Sequence, residues 1–421
     1  MNNRFLATRF KQTGTRFLIY RQVKSLRGFA EPEIVYIDAV PGGIQAGPGD
    51  ERIYVVDAKN KKPYHLLGLW PPYVGRRHPQ AMPDAEGHFD HITPDEDTFS
   101  SATVYATIRF VLMVWEHYLG RKVRWWFRDT YPRLEVIPRV DWKGNATSRY
   151  GYIEFGFEQL GRSFELLCQN FDVVAHEVGH MILKDVIGNP DYRTPQFRAH
   201  EEAAADLVAL VASLHFESAV TRLLHETKGN LFSINVLSRF AELSKARQIR
   251  NAFNRDTMSK LPWDPNPDNY KYDLARPFTG AAYDVFVHIY ELNLVRRGAI
   301  PKKLAQTLPN ARGRSAEFAR YFKRKTEVFK AALLSARDDF SKLLVRTWEK
   351  TTMHDFDYQR VVKNMMDAAV ELKRTPYASI IHDSFVRRKI LPSSKGKGKA
   401  CRRDCSFSVL ALEQVTTLCE A

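Results

Sequence analysis

Two histidines four residues apart, with a glutamate beside the first, stand in the run His176-Glu177-Val178-Gly179-His180. On a helix, positions i and i+4 share one face, so both imidazoles can point at a single ion. Glu177 then lies beside that ion, placed to take a proton from a bound water. A third donor, Glu202, opens the later run Glu202-Ala203-Ala204-Ala205-Asp206. Two histidines and one carboxylate leave the fourth position of a tetrahedral zinc open, which distinguishes a catalytic site from a closed structural one. Asp206, one turn after Glu202, is of the type that accepts the free N–H of a metal-bound histidine. The expected cofactor is therefore Zn2+.

These residues need helices to carry them. Phe171 to Ala175 leads into the motif and Met181 to Leu183 leads out, an apolar frame in which polar groups must be buried and partnered. A second apolar segment, Ala203 to Phe216, repeats Leu207, Leu210, Val211 and Leu214 at three- and four-residue spacing and also reads as a helix. The structural alternative is a core helix with two satisfied histidines. It leaves Glu177, Glu202 and Asp206 buried without a role.

Around the motif the elements change character along the chain. Residues 34–39, 52–57, 123–127 and 150–157 read as strands, and 101–118 as a long helix. An acidic loop, 84–97, offers clustered oxygens that suit calcium or simply water, without EF-hand spacing. From Phe164 onward nearly everything reads as helix, including 231–250, 280–297, 314–350, 357–373 and 376–390. Strands first and helices later is the α+β pattern. The expectation is an N-terminal mixed sheet and helix lobe (31–170) and a mainly helical lobe (171–391), with the metal-binding helix at their junction. A basic arm (1–30) and a flexible basic tail (392–421) flank them.

With 421 residues, 44% hydrophobic and 26% charged, the composition is that of a globular chain with a sizeable core. The net charge of +15 suggests nucleic acid until it is mapped. Residues 1–30 and 387–403 hold fifteen Lys and Arg between them and no acid, which accounts for the whole excess. A basic groove on the folded body is not implied, and no specific nucleic-acid partner is expected. The longest apolar run, Val104 to Val114, is interrupted by Thr107 and Arg109, so no transmembrane segment is expected. The N-terminus lacks the contiguous apolar region of a secretory signal. Its Arg-rich, acid-free character fits a basic arm or an organellar transit peptide. Cys168 lies in the apolar body, while Cys401, Cys405 and Cys419 lie in the tail without a matching histidine pattern. That usage suits a reducing compartment, and a cytoplasmic monomer is expected, with organellar or non-classical export as the alternatives.

HExxH followed at this distance by ExxxD resembles the gluzincin metallopeptidases, specifically the thermolysin-like group. The resemblance extends to Asn145-Ala146, which stand where the family carries an Asn-Ala pair on a sheet-edge strand, and to Phe155-Gly156 ten residues after Asn145. The lead-in Asp172-Val173-Val174-Ala175 also matches the family wording, so the likeness covers roughly residues 100–300. It implies His176, His180 and Glu202 as zinc ligands, Glu177 as general base and Asp206 as the orienting carboxylate. It also implies that Asn145 and Ala146 bind the backbone of an extended peptide. Tyr192 stands near the position of a family tyrosine that stabilises the oxyanion. The family histidine that shares this task is replaced by Arg276, in Arg276-Pro277-Phe278-Thr279-Gly280. Arginine supplies charge but no proton near neutral pH. Tyr192, Tyr270 and Tyr272 are then the possible donors. The implied activity is zinc-dependent hydrolysis of peptide or protein substrates. The alternative is a catalytically impaired zinc-holding scaffold or peptide-binding protein of the same fold.

Overall fold

Alternating apolar residues near the N-terminus bury one face of a strand pair. In the computed structural model, which describes residues 5–24, 26, 28–160, 163–190, 194–240, 250–261, 267–354 and 356–393, β1 (Thr15–Ile19) pairs antiparallel with β2 (Glu33–Ile37). Phe17, Ile19, Val35 and Ile37 are buried, and the Phe17 ring stacks on Phe89 at 4.7 Å. Residues 15–19 are thus part of the fold rather than of a basic arm. Next come β3 (Ile53–Val55), α1 (Tyr64–Leu67), α2 (Phe99–Leu119), β4 (Leu134–Ile137), β5 (Ala146–Arg149) and β6 (Tyr152–Phe155). The sheet order is β3-β4-β6-β5, parallel from β3 to β6, with β5 antiparallel to β6 at the edge. A hairpin of β7 (Phe157–Leu160) and β8 (Ser163–Leu166) follows.

The remainder is mainly helical. α3 (Phe171–Val186), α4 (Pro195–Ser213) and α5 (Glu217–Thr227) precede the two-residue strands β9 (Arg239–Phe240) and β10 (Arg250–Asn251). Then come α6 (Pro267–Arg296), α7 (Lys302–Ala305), α8 (Arg314–Lys350), α9 (Tyr358–Glu371) and α10 (Thr375–Arg387). The fold class is α+β, as the order of patterns implied.

Two compact units divide the chain. One comprises Met1–Asn189, Ala204–Glu217 and Phe240–Arg250, and the other Pro190–Ala203, Ser218–Arg239 and Asn251–Ala421. The first holds β1–β8 and α1–α3, so it runs through α3 instead of ending at residue 170. The second is built on α6, against which α8 and α10 pack, with α9 between α8 and α10. The cut falls inside α4, after Ala203.

Three expectations change. Residues 123–127 form loop and turns, because side chains take their backbone bonds: Val123 N–H donates to Glu116 Oε1 (3.0 Å), and Val123 O accepts from Arg52 (2.7 Å). The 150–157 strand breaks at Gly156, where a Cβ would fall 1.9 Å from Trp142 O. Residues 231–238 are not helical. Asn235 Oδ1 accepts from Leu237 N (2.9 Å) and Ser238 N (3.1 Å), the local side-chain bonding that competes with a helix. Residues 241–249 lie outside those described.

The polar interruptions of α2 are satisfied in place: Thr107 Oγ1 donates to Thr103 O (2.8 Å), and Arg109 pairs with Asp50 (2.8 Å). Among the described residues no single helix is long and apolar enough to cross a membrane. In the acidic loop, Asp84 Oδ1 accepts from His88 N (2.7 Å) and Glu96 Oε1 from Thr93 N (2.8 Å), so these carboxylates cap their own backbone.

Candidate metal centre

Asn170 starts α3 by accepting from Asp172 N (3.1 Å), satisfying a backbone donor that the first turn leaves open. From there the helix carries Val174, Val178 and Ile182 into the core. Gly179 lies against α4 so closely that an added Cβ would sit 2.7 Å from Ala205 Cα. Gly179 and Ala205 are what let the two backbones approach.

That approach puts Asp206 within reach of the first histidine. His176 Nδ1–H donates to Asp206 Oδ1 at 2.9 Å, with both side chains buried. The bond fixes the proton on Nδ1 and makes Nε2 the nitrogen that can accept from a neighbour or bind a cation. His180 Nε2 lies 3.1 Å from His176 Nε2, the rings at right angles with centroids 4.7 Å apart. Glu202 stands one turn before Asp206 on α4. His176, His180 and Glu202 each offer one ligand atom, and these atoms all lie within 4.8 Å of one another. Two imidazoles and a carboxylate so gathered can hold a metal ion, and this is the one such group among the described residues. Glu177, adjacent on α3, is buried at 8% exposure.

Lys271, on α6, is a residue that the sequence does not single out. Its ammonium pairs with Glu202 Oε1 at 2.7 Å and lies 4.6 Å from the Tyr272 ring centre. Burial opposes its charge, but the Glu202 carboxylate and Tyr272 together outweigh this and raise the Lys271 pKa above the usual lysine value. The only signal was a lone cation between Tyr270 and Tyr272, remote in sequence from the motif.

The remaining candidates separate. Ala146 opens the edge strand β5, which packs against α3. Asn145 precedes it, its Oδ1 accepting from Ala146 N (2.9 Å) and its carbonyl from Gly156 N (3.0 Å). Phe155 pairs directly with Ala146. Arg276 is exposed, and its guanidinium pairs with Asp256 (2.8 Å) and reaches Asp273 (3.9 Å). Tyr192 lies outside the described residues.

No protein-family model matches the chain, and no curated protein matches it.

Proposed function

We propose that the chain is a zinc-dependent peptidase of the thermolysin-like kind. The observation that carries this reading is the His176–Asp206 bond, which leaves two imidazole Nε2 atoms 3.1 Å apart beside the Glu202 carboxylate. The residues fit the ion: two nitrogens at the Zn–N distance on a tetrahedral zinc are about 3.3 Å apart, and a His2Glu set leaves one position open. Zinc held by His176, His180 and Glu202 would supply a Lewis acid and bring a bound water's pKa towards neutrality.

The chain's own residues supply the rest. Asp206 keeps His176 in the tautomer that presents Nε2. Glu177 takes a proton from the attacking water and passes it to the departing amine. The outer edge of β5 offers backbone groups to an extended peptide by strand addition, with Ala146 N–H exchanging its bond to Asn145 Oδ1 for a peptide carbonyl. Lys271 holds the Glu202 carboxylate by charge until a metal competes for it.

Cleavage of a peptide library, with and without a chelator, tests the reading. Glu177→Gln is expected to keep its metal and lose at least about a hundredfold in turnover. Hydrolysis by that variant at the parent rate would sink the assignment.

A second reading has its own observation. Arg276, at the place of the family's oxyanion-stabilising histidine, is already engaged by Asp256 and Asp273. This favours a metal-holding peptide-binding scaffold, which would bind zinc yet cleave no library member.

A further inference from the structure

Between Asp57 and Asp84 the chain contains no acidic residue, while Lys59, Lys61, Lys62, Arg76 and Arg77 fall within that stretch. The same stretch exposes apolar side chains. Leu66, Leu67, Leu69, Trp70 and Val74 are each between 52% and 91% exposed. Single exposed leucines are ordinary, but a run of large apolar residues within nine positions, rimmed by charge, marks an interaction surface.

The loop is held outward by a buried polar base. Gly68, in the left-handed conformation, ends α1 after one turn, and Leu69 N–H closes on Tyr64 O (3.1 Å). On one side of the apolar run, Tyr64 gives its hydroxyl to Glu135 (2.6 Å) and its N–H to Glu154 (3.0 Å). On the other side, Tyr73 N–H donates to the same Glu135 (2.9 Å). Glu135 and Glu154 stand on the neighbouring strands β4 and β6, both fully buried, and Lys61 pairs with Glu154 beneath the Tyr64 ring. Charges buried this deeply are costly unless fully partnered. Here their partners include both ends of the apolar loop, beside Tyr54 and Lys61, so the loop is tied at both ends and presents Leu66 to Trp70 to solvent.

We propose that this loop docks the protein on an anionic lipid bilayer. Leu66, Leu67, Leu69 and Trp70 enter the interface, and Lys59, Lys62, Arg76 and Arg77, all exposed, meet the headgroups. The occupant follows from the charge: a stretch of five cations without one acid complements an anionic surface, and Trp beside Leu is the composition that settles at the headgroup level. None of these residues belongs to the metal centre, and the proposal does not depend on the peptidase reading.

Co-sedimentation with vesicles tests it, using the whole chain at physiological salt. The chain is expected to bind phosphatidylcholine–phosphatidylglycerol vesicles and to bind phosphatidylcholine alone more weakly. The variant Leu69→Ser/Trp70→Ser should lose at least about tenfold in partitioning. Arg76→Ser/Arg77→Ser should lose about fivefold per charge removed. All four side chains are exposed, so circular dichroism should match the parent. Undiminished binding by Leu69→Ser/Trp70→Ser would overturn the proposal and assign lipid affinity to the basic ends. Failure of the parent chain to bind either vesicle would overturn it too, leaving a protein partner as the occupant.

Discussion

A single hydrogen bond, from His176 Nδ1–H to Asp206, decides which nitrogen of the first histidine faces the cation site. Replacing Asp206 with Ala frees the ring to rotate and change tautomer. Metal affinity should then fall about 10–100-fold in a competition titration, and an unchanged affinity would remove Asp206 from the account. Lys271 acts in the opposite direction, because its ammonium holds the Glu202 oxygen that a metal needs. Lys271→Met is therefore expected to bind zinc more tightly than the parent in the same titration. Weaker binding would mean that the lysine supports the ligand instead of competing for it. Cys168 gives a residue-scale prediction away from the site. Burial pushes its thiol up to about 12, from the usual 9.0. The neutral thiol's contribution to stability is thus fully present below 9.0 and lost as pH rises towards 12. With Cys401, Cys405 and Cys419 changed to Ser, the native chain should not react with a thiol reagent at pH 8 until it is unfolded. His176, His180, Glu202 and Asp206 were legible because helical spacing ties them in pairs. Lys271 was not, since its link to Glu202 is made by tertiary packing and leaves no pattern in the chain.

The α3–α4 pair is set by small residues, and this is where element-level energetics can be tested. Alanine ordinarily favours a helix over glycine by about 1 kcal/mol. At Gly179 the added Cβ meets the Ala205 backbone at 2.7 Å, so the helices must part. Gly179→Ala should therefore lose about 1–3 kcal/mol in urea unfolding and weaken metal binding along with it. A more stable variant would show that the approach is not tight. Long helices such as α2 and α8 were readable from apolar periodicity, and α6 only from residue 280 onward. Residues 123–127 and 231–238 were misread for one shared reason. Glu116, Arg52 and Asn235 take over backbone hydrogen bonds with their side chains, and periodicity carries no trace of that.

For the whole molecule, the order of strands before helices was enough to give the α+β class. The unit boundary was not legible, because it falls within α4, where the apolar repeat runs on without a break. The basic composition of residues 1–30 likewise hid β1, whose Phe17 and Ile19 are fully buried. The account rests on one claim above the others, that His176, His180 and Glu202 form a zinc site. Elemental analysis of the purified chain and of His180→Ala, after identical dialysis, tests it most directly. About one equivalent of zinc is expected in the parent and little in the variant, since two ligands hold zinc far less well than three. Zinc in neither protein, or equal zinc in both, would contradict the account.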